Sequence, residues 1–499
     1  TNLTLYKMKT DKWNISLIAM TIIISLSISS YVLINPELSA MQLNSLYQLA
    51  AKFFESAFQY GSLLLVAFLL MFALSKKGAI TIKLKAKDEY PFFTWIMMLF
   101  AAGMGASIMF WSPIEWAYYL NEPPFGLENF SQEHFAFART YSNFHWGLTG
   151  WAIFCLPALA FAISLNKNPD SKLTFSGIFF HQTQSNLLRL FGWLLDLIFI
   201  LSIISGAGIA IGLSFPLIAQ IFSSVLSIEA TPWFEGAILL LCLAIFTTSV
   251  ALGLNKGIKR LSQVNIFLIV NLLIFVLVFG PTQQIFHYSL ESLGILVTYF
   301  IRMSTYTGDS FVQNWTVFYW AWWMALAPFV GAFIVNISNG KTLRQLILGT
   351  IFIGAIGCML HFMILGNYSF ILYENNILDI PQLIGNGESN QAIIQILETL
   401  PGGNLPLILY GIVMIIFLCT TYDSCVYVLA SSSMKSMSHS PDVFIRIIFA
   451  LILVIQPALF LVVDGLEVTK NILLLCSIPL LGIFLAMMIY SVKHASADK

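Results

Sequence analysis

Apolar and polar positions in this chain alternate in long blocks, not at the short periods of a soluble fold. Apolar runs long enough to cross a bilayer fall at 14–34, 53–75, 91–119, 141–165, 190–222, 234–254, 262–285, 315–336, 343–372, 404–432, 443–464 and 471–492. A crossing takes about 20 apolar residues, so the pattern predicts twelve membrane-spanning helices, numbered here as spans one to twelve. Several runs exceed that length, which implies tilted or broken helices. One stretch departs from the pattern. From Gln284 onward, His287, Glu291 and Arg302 recur among Ile, Leu, Val and Phe at helical spacing. That reads as an amphipathic helix lying on the outer surface, placed at 286–303.

Charge sorting agrees with an even number of spans. If both termini lie on one side, all of the 24 Lys and Arg residues except Lys52, Arg139, Arg302 and Lys470 fall in that side's segments. These are the N-terminus, 75–90, 166–189, 255–261, 338–344, 433–446 and the tail. Glu128, Glu133, Glu291, Glu374 and Glu398 fall on the other side. By the positive-inside rule both termini are cytoplasmic. The expected layout is a cytoplasmic N-terminus (1–13), two leading helices (14–75), a first helical unit (91–285), the surface helix, a second unit (315–492) and a short cytoplasmic tail (493–499). With 58% hydrophobic and 10% charged residues, the chain is an all-α integral membrane protein. The first run is too long for a signal-peptide core. Cys155, Cys242, Cys358, Cys419, Cys425 and Cys476 lie inside apolar runs without metal-ligand spacing, so they read as small buried hydrophobes.

The candidate chemistry is sparse. Span three contains Ala101-Ala-Gly-Met-Gly-Ala-Ser107, and each glycine weakens a helix by roughly 1 kcal/mol relative to alanine. Freed backbone in a bilayer is tolerated where it lines a cavity, although small residues also serve close helix packing. Glu115 and Asp423 are ionisable groups within spans, which are costly and point to function; for Glu115 a structural role beside neighbouring tryptophans is the favoured reading. Thr420 and Thr421 either bond back to the preceding turn or offer two hard oxygens to a small cation. Trp320, Trp322 and Trp323 crowd the start of span eight, either as a rim belt or as an aromatic box for a cation that cannot donate hydrogen bonds. No HExxH, GxSxG, P-loop or CxxC occurs. An enzyme built on Glu115, Asp423 and His145 would need groups converging from three spans without a recognisable spacing.

Four segments resemble the betaine/carnitine/choline transporter family: 101–126, 144–162, 315–345 and 420–433, with the tryptophan block and the basic loop after it the most specific. The resemblance implies the leucine-transporter fold, with inverted five-helix repeats in spans 3–7 and 8–12, and a homotrimer in a bacterial inner membrane. It implies no enzyme, no nucleic-acid partner and no cofactor beyond a coupling ion. It further implies a trimethylammonium box of Tyr118, Trp146, Trp322 and Trp323, with Trp151 and Trp320 as neighbours and the Gly103-Met104-Gly105 break beside it. Phe154 replaces a frequent tyrosine, and Leu326 replaces an aromatic residue. A sodium site would use the carbonyls of Ala101, Met104 and Phe417 with the hydroxyls of Thr420 and Thr421. Asn265 stands where sodium-independent carnitine exchangers have arginine. The resemblance implies that a second sodium site is lost, because Gly206–Leu213 opposite Phe329 has no hydroxyl. Glu115-Trp116-Ala117-Tyr118 resembles the exchangers, whereas the GMG motif resembles sodium-betaine carriers. The expectation is therefore sodium symport of a betaine- or carnitine-like zwitterion. Sodium-independent exchange, or sensing without flux, are the alternatives. The short ends favour nutrient uptake over osmosensing.

Overall fold

The computed structural model describes residues 12–85, 88–181, 183–229, 231–252, 255–435, 441–461 and 465–495. Among these the chain is helical almost throughout, and β pairing is confined to two isolated bridges, Trp13 with Met434 and Thr81 with Thr342. Each of the twelve apolar runs contains helix. Eight helices are individually long and apolar enough to cross a bilayer, and spans three, six and eleven contain shorter apolar helices. Span seven forms a pair with the surface helix, bent by 111° between them.

The boundaries moved where backbone chemistry overrides apolar content. Span seven ends at Phe279 rather than 285, because Gly280 and Pro281 follow and a proline disfavours helix in the residue before it. The surface helix therefore starts earlier, at Thr282, and runs to Thr305. Span two starts far before residue 53, at Pro36, and runs 39 residues to Leu74. Pro36 occupies the first helical turn, where its missing N–H costs nothing. At 1.5 Å per residue that helix is about 58 Å long, well beyond the hydrocarbon core. Span four begins at Gln132 and breaks between His145 and Leu148. Spans eight and nine contain π-helical turns at Val312–Thr316, Gly349–Gly354 and Phe362–Gly366. The 375–404 connection contains two short helices that apolar run length did not signal, Ile380–Gly385 and Ser389–Glu398.

The polar connections gather on two opposite faces, as the charge sorting requires. On the terminal face, Asn14 N–H bonds Ser433 O at 2.9 Å and Ile82 N–H bonds Lys341 O at 2.8 Å. Lys83 N–H reaches Asn166 Oδ1 at 2.8 Å, and Lys85 pairs with Asp170 at 3.1 Å. On the opposite face, Gly308 N–H bonds Glu55 at 2.7 Å, Asn314 bonds Glu122 at 2.9 Å, and Ser224 bonds Glu398 at 3.1 Å. The nearly buried Arg139 ties span four to the surface helix, pairing with Glu291 at 2.6 Å over the rings of Tyr288 and Phe370. In a variant lacking the native cysteines, Lys83→Cys and Asp170→Cys are expected to react with a membrane-impermeant maleimide from one side of the membrane, and Glu128→Cys and Glu388→Cys from the other. Labelling of all four from the same side would refute this two-faced arrangement.

Candidate functional site

Span three is broken at its glycines. The first helical piece ends at Ala102, Gly105 is extended (φ −164°, ψ 171°), and helix resumes at Ala106. Beside this break lies a cavity of about 570 Å³, within the usual range for small-ligand sites. Spans three, four, five, seven, eight, nine and ten contribute to its wall. Its exposed lining residues, Thr94, Met97, Gln263 and Ser424, all lie toward the terminal face. The lining is largely apolar.

At the deep end stands a cluster of rings. Trp146 meets Trp322 at 5.7 Å and Trp323 at 5.6 Å, both edge-on, and Phe154 lies 4.4 Å from Trp323. Trp146 sits at the break in span four, where Gly147 leaves helical geometry (φ −94°, ψ −140°). Two glycines let rings lie flat on backbone. A Cβ at Gly150 would meet the Trp323 ring at 2.5 Å, and one at Gly354 would meet Trp151 at 2.2 Å. The indole donors point into protein. Trp322 Nε1 donates to Gly206 O at 2.9 Å, and Trp151 Nε1 to Cys358 Sγ at 3.3 Å. The Cys358 thiol donates to Gly103 O at 3.0 Å, which links span nine to the break.

The Trp146 indole has a charged partner, Glu115. This carboxylate is fully buried and accepts from Trp146 Nε1 (2.8 Å) and Tyr319 OH (2.6 Å) on Oε2, and from Tyr119 OH (2.5 Å) on Oε1. His145 extends the set: Nδ1 lies 2.8 Å from Tyr119 OH and Nε2 lies 3.0 Å from Thr316 Oγ1. Tyr119 can therefore donate to Glu115 while accepting from His145 Nδ1, which leaves Nε2 to accept from Thr316. Sequence reading gave Glu115 a structural role. Here its one carboxylate orients a cavity-wall tryptophan: Tyr119 lies one helical turn away, but Trp146 and Tyr319 come from spans four and eight, which no spacing connects to it. Cys358, read from the sequence only as a small buried hydrophobe, bonds both Trp151 and Gly103, and Tyr319 and Phe362, which packs on Trp146 at 5.4 Å, carry no sequence signal for this site.

The structure does not bring every expected residue to this cavity. Trp146, Trp151, Trp322 and Trp323 line it, as do Gly103, Met104 and Gly105. Tyr118 lies instead in an aromatic layer beyond the cavity, 5.5 Å from Trp111 and 5.6 Å from Trp315, with its hydroxyl 2.6 Å from Ser389 Oγ. Lys470 covers that layer from the opposite face, 4.9 Å over Trp315. Trp320 points away toward span two, its indole 3.4 Å from Gln59. Ala101, Met104, Phe417, Thr420 and Thr421 all line the cavity, and Thr420 also bonds back to Ile416 O at 3.0 Å. Asn265 donates to Val413 O at 3.2 Å and does not line the cavity. The Glu115 set predicts an order of stability. Glu115→Leu leaves the buried donors of Trp146 and Tyr319 without an acceptor, at a cost of about 1–3 kcal/mol each, whereas Glu115→Gln retains one acceptor oxygen. The midpoint of thermal unfolding in detergent should fall from wild type to Gln to Leu. A leucine variant as stable as wild type would contradict the network.

Comparison with known proteins agrees with this architecture. The family model described as "BCCT, betaine/carnitine/choline family transporter" matches residues 15–499. The chain is 31% identical over 430 residues to the uncharacterized transporter YeaV of Escherichia coli (strain K12), covering 85% of this chain and 89% of that one. It is 30% identical over 429 residues to a carnitine transporter of Acinetobacter baumannii, covering 85% of this chain and 78% of that one. It is 31% identical over 434 residues to an ectoine/hydroxyectoine transporter of Virgibacillus pantothenticus, covering 85% of each. The matched family and these relatives are transporters, not enzymes. An aromatic cavity beside a broken helix, in a bundle of apolar spans that matches the family model over nearly its whole length, makes this chain a member of the betaine/carnitine/choline transporter family.

Proposed function

We propose that the chain imports a zwitterionic trimethylammonium compound, betaine- or carnitine-like, in symport with sodium by alternating access. The observation that carries this reading is how the cavity tryptophans use their donors. Trp146, Trp151 and Trp322 direct their N–H groups to Glu115, Cys358 and Gly206. These three indoles therefore offer the cavity ring surface rather than N–H donors, which suits a methylated ammonium that neither donates nor accepts hydrogen bonds. The relatives named for carnitine and ectoine, both zwitterions, support that cargo class. The homotrimer and the inverted repeats over spans 3–7 and 8–12 come with the family resemblance. With the termini cytoplasmic, the cavity opens inward and the layer of Trp111, Trp315 and Tyr118 closes the outside.

Sodium enters this reading through the five oxygen-bearing groups that share the cavity, Ala101, Met104, Phe417, Thr420 and Thr421. An ion held there would bridge spans three and ten and stabilise only conformations in which they meet, so its gradient would drive uptake. A second ion is not expected, because Phe329 shares the cavity with Ala207, Ala210 and Ile211 on span five, which bear no hydroxyl. That loss, with the Glu115–Tyr118 motif, favours the exchanger as a second reading. The neutral Asn265 weighs against it.

Uptake of betaine and carnitine into proteoliposomes, with sodium outside, inside or absent, separates the readings. Symport requires accumulation driven by inward sodium. Accumulation that ignores sodium but needs internal substrate would establish exchange, and binding without flux would establish a sensor. Trp323→Ala is expected to weaken binding more than Trp323→Phe, since each ring face is worth on the order of 1–2 kcal/mol, roughly 5–30-fold. Equal losses would point to packing instead. Thr421→Val is expected to raise the sodium concentration for half-maximal uptake while leaving affinity at saturating sodium nearly unchanged. If Thr420→Val and Thr421→Val both leave sodium dependence intact, the ion does not bind there.

A further inference from the structure

A second concavity, a groove of about 830 Å³, lies between spans five and twelve, far from the aromatic cavity. Its floor is apolar: Leu195 and Ile198 from span five, and Pro479, Gly482, Ile483 and Ala486 from span twelve. Its end at the terminal face is basic, with Lys167, His181, Lys493 and His494, and the lining residues include no carboxylate. Tyr490 closes the basic end, stacked on His494 at 4.3 Å and edge-on to Phe179 at 5.9 Å. From Pro479 to Lys493 the groove follows span twelve for about 21 Å at 1.5 Å per residue, comparable to one leaflet with its headgroup region.

The surroundings show what medium the groove opens into. Leu187, Leu190, Phe191 and Leu194 on span five are exposed, as are Leu485, Ile489 and Val492 on span twelve. Both flanking helices therefore present apolar side chains outward, as helices facing lipid do. A soluble anion would match the basic end but not the apolar floor, which follows span twelve from Pro479 to Ala486 for about 10 Å. A neutral lipid would match the floor but not the cations. We propose that this groove is a binding site for one anionic phospholipid, with an acyl chain along Ile198, Gly482 and Ile483 and its phosphate between Lys167 and Lys493.

The site has a route to the transport machinery. Span five carries Gly206, whose carbonyl anchors the Trp322 indole, and span twelve carries Ser477, whose hydroxyl donates to Ala321 O at 2.9 Å. A lipid wedged between these helices would steady both supports of the Trp322–Trp323 segment. Binding would thereby favour one packing of the bundle over another.

Native mass spectrometry of the purified full chain, with phosphatidylglycerol or phosphatidylcholine added, tests the site directly and does not depend on any transport assay. Wild type is expected to retain phosphatidylglycerol preferentially. Lysine near an anionic headgroup is worth about fivefold in affinity, so Lys167→Gln with Lys493→Gln should reduce that retention by roughly 25-fold. Gly482→Phe tests the floor separately: a Cβ there meets nothing within 4 Å, so the new ring fills the groove and not the core. It should cut phosphatidylglycerol retention with both lysines intact, and glycerol phosphate should not displace the lipid from wild type. Equal retention of the two lipids by wild type, or retention unchanged in both variants, would overturn the proposal. Displacement by glycerol phosphate would overturn it in favour of a soluble-anion site.

Discussion

A carboxylate removed from water must be answered by donors, and Glu115 is answered by three. Leaving it bare in a low-dielectric bundle would cost several kcal/mol. Its partners come from spans three, four and eight, so its desolvation can be offset only when those spans are assembled in one register. The same requirement fixes Trp146, because the indole that satisfies Glu115 is also the wall of the cavity. Tyr319, a second donor, packs on that indole at 5.8 Å and stacks on His145 at 4.6 Å. One buried charge thus sets both the assembly of the bundle and the orientation of a ring at its centre.

The rest of the cavity follows from how closely backbones approach. Gly150 and Gly354 allow Trp323 and Trp151 to lie against helix axes, where any side chain would displace them. Trp151 then reaches Cys358, and Cys358 reaches Gly103 at the break in span three. A helix break in a bilayer is tolerated only where protein or a cavity receives the freed groups. Here it is flanked by both. Toward the opposite face, Trp111, Trp315, Tyr118 and Tyr119 form a closed aromatic layer, which Lys470 covers with a cation–π contact. Toward the terminal face the cavity is lined by the exposed Thr94, Met97 and Gln263.

Peripheral contacts distribute the same logic over the membrane surfaces. The surface helix is fastened by Arg139, whose guanidinium is paired with Glu291 and covered by two rings. It leaves Phe286, Leu290, Val297 and Ile301 exposed, a face suited to lipid or to another copy of the chain. Between spans five and twelve, the basic end and apolar floor of the second groove repeat the polarity of a lipid molecule.

Hydrophobic run length determined the class of fold and the order of the spans, because a bilayer admits few ways to bury a polar backbone, and the sorting of lysine and arginine determined the two faces of the molecule. Local sequence also located the break in span three and the tryptophan cluster, since glycine and indole carry their properties wherever they sit. It did not determine helix ends at Pro36 or Phe279, where proline chemistry outweighs apolar content, nor the helices between Asn375 and Asn404, which are too short to register as spans. The family resemblance placed Tyr118 in the box and Trp320 beside it, but a motif matched along the chain says only that residues share a segment, not which neighbour each faces. The tertiary structure decided that Tyr118 belongs to the aromatic layer with Trp111 and Trp315, Trp320 to the contact with span two and Glu115 to the support of Trp146 in the cavity wall. Those assignments rest on side chains from distant spans meeting within hydrogen-bond or ring-contact distance, and no pattern along one chain encodes which distant donors a buried carboxylate will find.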